Sequence, residues 1–132
     1  MSKKIFLNIP VADVAKSKAF FEAVGFRSDS KFGGDEGACI VISDSIFAML
    51  TTHQRFKDFT PKEVCDTSKA VEFLINLQCE SRQEVDQLVA NALAAGGSTY
   101  DQAEDLGFMY SHSFVDLDGH GWGLFYLPES SN

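Results

Sequence analysis

Apolar and polar positions along this 132-residue chain change period in a fixed order. Ile5 to Val11 alternates and predicts a strand, and Pro10 places it at a sheet edge or near its own end, because proline cannot donate to the ladder. Asp13 stands as N-cap to a helix reaching about Val24, with Gly25 as its C-terminal stop. Val14, Phe20, Phe21 and Val24 fall on one face of that helix. Phe26 to Phe32 predicts a strand, Gly33-Gly34-Asp35 a turn, and Ala38 to Ile42 a continuous apolar strand. Ser43-Asp44-Ser45 turns again and Ile46 to Thr51 forms a fourth strand. The first half therefore reads β-α-β-β-β.

A polar connector, 53–69, holds Phe56, Phe59 and Pro61, and then the order repeats. Val71 to Cys79 predicts a strand. Ser81 opens a helix, and Glu84 three residues on completes a capping box, in which each side chain takes a backbone N–H at the helix start. Val85, Leu88, Val89, Ala92 and Leu93 recur at i, i+3, i+4, and Gly96-Gly97 ends the helix. Ser98 to about Gln102, Met109 to Val115 and Gly121 to Leu127 complete a second β-α-β-β-β.

The halves align on their own letters. FLNIPV (Phe6 to Val11) matches LINLQC (Leu74 to Cys79) and lays Asn8 on Asn76; SIFAML (Ser45 to Leu50) matches HGWGLF (His120 to Phe125) and lays Phe47 on Trp122 and Ala48 on Gly123. One such unit cannot close a core alone, whereas two can share a cupped mixed sheet with helices outside. The expected fold is α+β, with module 1 over about 3–52, the connector over 53–69 and module 2 over about 70–128 of a single domain spanning 1–132.

The stretch YSHSFVDLDGHGWGLFY, Tyr110 to Tyr126, reads as strand, tight reversal at Asp116-Leu117-Asp118-Gly119, and strand. It resembles the closing hairpin of the vicinal oxygen chelate superfamily, which includes glyoxalase I, extradiol dioxygenases and bleomycin- and fosfomycin-resistance proteins. GFMYSHSFVDLDGHGW, Gly107 to Trp122, is most similar to a small bacterial glyoxalase-like branch. The resemblance implies the paired β-α-β-β-β architecture. In metal-dependent relatives, first and last strands of each module supply His or carboxylate ligands to a divalent metal that acts as a Lewis acid on two vicinal oxygens of the substrate. On this chain those positions fall on Phe6, Ala48, Leu74 and Gly123, none of which can coordinate. Glu72 lies on the same strand face as Leu74 and is the one donor nearby. The reading that follows is metal-independent, with no cofactor expected.

Charge and composition narrow the function. A net charge of −8 argues against a nucleic-acid partner, which needs clustered Lys and Arg. No apolar run reaches the ~20 residues that span a bilayer, and the N-terminus does not read as a signal peptide. Three cysteines without a CxxC pair point to neither disulfides nor a thiolate metal site. A cytoplasmic protein with no membrane partner is expected. Twelve phenylalanines fit either a Phe-rich core or an aromatic-lined cavity.

His112 sits mid-strand with Tyr110 and Phe114 on the same face, at a position that is often arginine in the similar branch, and reads either as a cavity group or as a surface residue. His120 reads as a turn residue and His53 as solvated. Asn8 and Asn76 can offer amides to one polar ligand or bond across strands. The first functional reading is a metal-free module that holds a small organic molecule, with walls from Phe6, Phe47, Phe114, Trp122 and Phe125 and anchors from Asn8, Asn76 and His112. The second is a metal-dependent lyase, isomerase or extradiol-type dioxygenase using a non-standard divalent-metal set such as His112, Glu72 and His53. The third is a metal-free catalyst with His112 and Tyr110 as acid and base. A homodimer is expected, with the modules pairing either within one chain or across two.

Overall fold

The structure is a computed structural model that describes residues 3–32 and 37–128. The Gly33-Gly34-Asp35 turn lies outside the described residues. The chain divides into two compact units, Met1–Cys65 and Asp66–Asn132.

The first unit runs β1 (Ile5–Val11), α1 (Val14–Val24), β2 (Arg27–Asp29), a 3-10 turn (Ser30–Phe32), β3 (Gly37–Ser43), β4 (Ile46–Thr52) and the short α2 (His53–Phe56). Its sheet has the order β1-β4-β3-β2, with β1 parallel to β4 and the other neighbours antiparallel. Pro10 is tolerated because β1 is an edge strand. Asp13 caps α1 by accepting from Lys16 N at 3.0 Å, and Gly25, at φ 131°, stops it while its N–H returns to Glu22 and Phe21 carbonyls. Val14, Phe20, Phe21 and Val24 bury against Ile9, Val11, Ile40, Ala48 and Leu50, each large side chain contributing about 1.5–3 kcal/mol of burial. The strand expected over Phe26 to Phe32 is shorter, because Asp29 Oδ1 accepts from Lys31 N at 3.0 Å and turns the chain out of the ladder.

The second unit runs β5 (Ile75–Cys79), α3 (Arg82–Ala94), β6 (Glu104–Asp105), β7 (Tyr110–Val115) and β8 (Gly121–Tyr126), in a sheet of order β5-β8-β7-β6. The two-module α+β organisation read from the sequence is present, each module carrying its own four-stranded mixed sheet. Ser81 accepts from Glu84 N at 3.0 Å, but Glu84 Oε1 takes the N–H of Glu80 at 2.7 Å rather than that of the cap itself. Val85, Val89 and Ala92 are buried, whereas Leu93 is exposed.

Two strand expectations in this unit are corrected. The strand expected from Val71 begins only at Ile75, because β8 supplies no ladder partner before Trp122, and Val71, Phe73 and Leu74 stay exposed. The strand expected over Ser98 to Gln102 is a single bridge, Ser98 to Val115, after which Thr99 and Asp101 spend their side chains on β7. The β7–β8 reversal closes around Asp116, whose Oδ1 accepts from Asp118 N (2.9 Å) and His120 N (3.0 Å) and whose Oδ2 accepts from Trp122 Nε1 (3.0 Å). Gly119 needs its φ of 90°, and a Cβ there would meet the Thr67 carbonyl oxygen at 2.6 Å. Among the described residues no helix is long and apolar enough to cross a membrane.

Candidate functional site

Paired residues on neighbouring strands project to the same side, so the ladder of module 2 decides what each face carries. Phe114 opposite Trp122, His112 opposite Leu124 and Tyr110 opposite Tyr126 share one side. Ser113 opposite Gly123 and Ser111 opposite Phe125 share the other, joined from β5 by Asn76 beside Gly123. Helix α3 covers the first side. Tyr110 Oη donates to Asp86 Oδ1 at 2.6 Å, and the Arg82 guanidinium lies 5.2 Å from the Tyr110 ring centre. The hydrogen bond to Asp86 pushes the Tyr110 hydroxyl above its ordinary range.

Phe114 and Trp122 are therefore core residues and not cavity walls. Both are 0% exposed, and their rings stack at 6.1 Å beneath α3. Tyr110 and His112 are not brought together as an acid–base pair, since Tyr110 is held by Asp86 and His112 by Asp101.

The other side opens into a cavity of about 520 Å³. Leu74, Met109, Phe125 and Tyr100 give it apolar surface, while Asn76, Asp101, Ser111 and Ser113 supply polar groups; His112 and Leu124, whose side chains project to the α3 side, also border it. Asp101 organises the polar end. Its carboxylate accepts from Ser113 N at 3.3 Å and from Ser113 Oγ, and Thr99 Oγ1 beside it donates to the Ser113 carbonyl at 2.7 Å. His112 Nε2 lies 3.2 Å from the Asp101 carbonyl oxygen and 3.3 Å from Asp101 Oδ1. Both are acceptors, so this ring nitrogen carries the proton, and a neutral His112 keeps Nδ1 as its acceptor. Ser113 gives its hydroxyl proton to Asp101 and not to the imidazole, so no serine nucleophile is paired with a base here.

Module 1 gathers the remaining candidates on the side of its own sheet away from α1. Phe6 pairs with Phe47, their rings stacked at 4.6 Å with 10° between planes, and Asn8 pairs with Met49. Phe6 is 48% exposed. Of the eight ligand candidates, Asn76, His112 and Phe125 line the module 2 cavity, and Phe6, Asn8 and Phe47 belong to the first unit.

The ladders also correct the repeat. Asn8 pairs with Met49 where Asn76 pairs with Gly123, so Met49, not Ala48, matches Gly123. Ala48 is 0% exposed on the α1 side and matches Trp122. Asp101, Tyr100 and Ser111 were not legible as site residues. The available signal was an aspartate in a stretch read as strand, where its side chain competes with the ladder for backbone N–H groups.

A family model described as bleomycin resistance protein-like N-terminal matches residues 3–43. A search of curated proteins finds no match. Among solved structures, a hypothetical protein from S. aureus is 26% identical, with 96% of this chain and 94% of that one covered and a TM-score of 0.80. A glyoxalase/bleomycin resistance protein/dioxygenase family enzyme from Burkholderia phytofirmans PsJN is 17% identical, with 96% and 100% covered and a TM-score of 0.80. A glyoxalase-related enzyme from Fulvimarina pelagi is 17% identical, with 97% and 90% covered and a TM-score of 0.78. Residues 3–43 are thus similar to the bleomycin resistance protein-like N-terminal family, and the likeness to these solved structures shows a shared fold.

The divalent metal of the metal-dependent vicinal oxygen chelate proteins does not fit the residues present here. Phe6 and Leu74 offer exposed hydrocarbon, Ala48 a buried methyl and Gly123 nothing; the corrected match, Met49, offers only a thioether. Among the described residues no three His, Cys, Asp or Glu side chains are grouped so that they could hold a metal ion. His53 begins α2 in the first unit, and Glu72 precedes β5 in the second.

Proposed function

We propose that this chain is a vicinal oxygen chelate protein and that it binds a small organic molecule, without a metal ion, in the cavity of its second module. The observation that carries the reading is the cavity itself. Its volume of about 520 Å³ falls within the roughly 300–1,000 Å³ of small-molecule sites, and it combines apolar walls with a few convergent polar groups in the manner of such sites. Three residues expected from the sequence to meet a ligand, Asn76, His112 and Phe125, lie in its lining. The absence of donors at the four ligand positions supports the metal-free part.

The test is a fragment screen by protein-observed NMR on the ¹⁵N-labelled chain. Hits are expected to shift the Asn76 side-chain amide and the backbone amides of Ser111 and Gly123. A library that shifts none of them, or shifts only distant residues, would remove the proposal. We further propose a homodimer, supported by the exposed apolar side chains Ile5, Phe6, Phe73 and Leu74, which a second copy could cover. Light scattering after size exclusion would show it, and a monomer at tens of micromolar would refute it.

A further inference from the structure

We propose that the Asn76 amide is the recognition group of the module 2 cavity, that residue 123 is glycine to make room for it, and that the ligand presents a neutral carboxamide- or lactam-like edge. This rests on the binding reading above.

Asn76 and Gly123 are direct partners in the parallel β5–β8 ladder. A Cβ placed on Gly123 would run into Asn76 Oδ1, so the amide occupies the space where any side chain at 123 would start. Backbone conformation does not explain this glycine, because among the described residues the glycines with positive φ are Gly25, Gly96, Gly107 and Gly119. Nor does the repeat impose it. The matched pair of module 1, Asn8 and Met49, carries a side chain at the same place. Asn76 is solvent-exposed and lines the cavity, so its amide faces whatever enters.

An amide offers an acceptor and a donor side by side, and the partner that satisfies both at once is another amide edge. The lining includes the Asp101 carboxylate and neither lysine nor arginine, which disfavours anionic ligands. Tyr100 and Phe125 give aromatic surface for a flat ring. The expected ligand class is thus an aromatic or heteroaromatic carboxamide, lactam or pyridone.

The experiment titrates the ¹⁵N-labelled full chain with benzamide, 2-pyridone, benzoate and acetophenone. Benzamide and 2-pyridone should shift the Asn76 side-chain amide and the Gly123 N–H. Benzoate and acetophenone should bind roughly tenfold or more weakly, and Asn76→Ala and Gly123→Ala should each weaken benzamide by about tenfold. Gly123→Ala should leave the urea midpoint nearly unchanged, because the exposed Asn76 side chain can rotate away, and should shift the Asn76 side-chain amide signals of the ligand-free protein. Benzoate or acetophenone binding as tightly as benzamide at these residues would overturn the ligand class and leave the cavity reading standing. No shift with any of the four would overturn both. Asn76 side-chain amide signals unmoved by Gly123→Ala in the ligand-free protein would overturn the steric link.

Discussion

Replacing Asp116 tests the account of the closing hairpin most directly. Its carboxylate is 5% exposed and receives three N–H groups at 2.9–3.0 Å, two from the turn backbone and one from the indole of Trp122, which is itself 0% exposed. In Asp116→Ala all three donors lose their acceptor. A buried N–H left unpaired costs about 1–3 kcal/mol, and water can reach the turn more easily than the indole, so a loss of about 3 kcal/mol is expected in total. With a urea m-value of about 1.5 kcal/mol/M, the midpoint should fall by about 2 M. Asp116→Asn should cost less, about 1–2 kcal/mol, because the amide keeps one acceptor oxygen and turns an N–H₂ toward either the turn or the indole. The assay is urea unfolding at pH 7 by far-UV circular dichroism, with the fluorescence of Trp122, the single tryptophan, as a second probe. Midpoints within about 0.3 M of the parent for Asp116→Ala would refute the claim that this carboxylate holds the hairpin.

The same residue has a signed pH dependence. Burial pushes the Asp116 carboxyl above its ordinary value, opposed by His120 and by the three N–H donors. The folded state therefore binds its proton more tightly than the unfolded chain does. Ionisation then costs stability as pH rises from the ordinary carboxylate range through the raised folded value, and the cost is absent below that window. An asparagine cannot ionise. The destabilisation caused by Asp116→Asn should consequently be larger at the acid end and shrink toward neutrality, measured as the difference between the two stability curves.

Two further outcomes follow from the core. Phe114→Ala removes a fully buried ring stacked on Trp122 and should cost about 3–5 kcal/mol, read from urea unfolding; a loss under about 1 kcal/mol would contradict its placement under α3. Of the three cysteines, Cys39 and Cys79 are buried, and burial pushes the Cys79 thiol up to about 11, so in the folded protein Ellman's reagent at pH 8 should titrate Cys65 rapidly and the other two only in urea.

The elements that could be read from the letters carry their own start and stop chemistry. Asp13 and Gly25 bound α1, Ser81 opens α3, and Asp116 to Gly119 close the β7–β8 hairpin, each through groups a few residues apart in sequence. Elements that depended on a distant partner were not legible. Val71 to Leu74 has strand composition, yet a strand exists only where another backbone meets it, and the ladder with β8 begins at Ile75. The site suffers from the same limit. Alternation told which residues share a side, so Tyr110, His112 and Phe114 were grouped correctly, but it did not say which side α3 would cover. The aromatic pair Phe114 and Trp122 fell on the covered side, and the cavity formed on the side of serines and a glycine.

That outcome has a cause in the repeat. Matching aromatic to aromatic laid Phe47 on Trp122, but a one-residue slip reverses every side chain in a strand. Phe47 pairs with Phe6 on the side away from α1, and Trp122 pairs with Ile75 on the side facing α3. Laid on the true register, the central open-side positions are Asn8, Met49 and Cys39 in module 1 and Asn76, Gly123 and Ser113 in module 2. The asparagine is common to both. Its neighbours are two sulfur-bearing side chains in one module and two of the smallest residues in the other. Asn8 and Asn76 are both exposed, and the cavity that Asn76 lines has Gly123 and Ser113 in its wall. The two modules, similar in backbone, thus differ on their open sides, and the glycine that cannot hold a metal is the residue beside which the Asn76 amide has room.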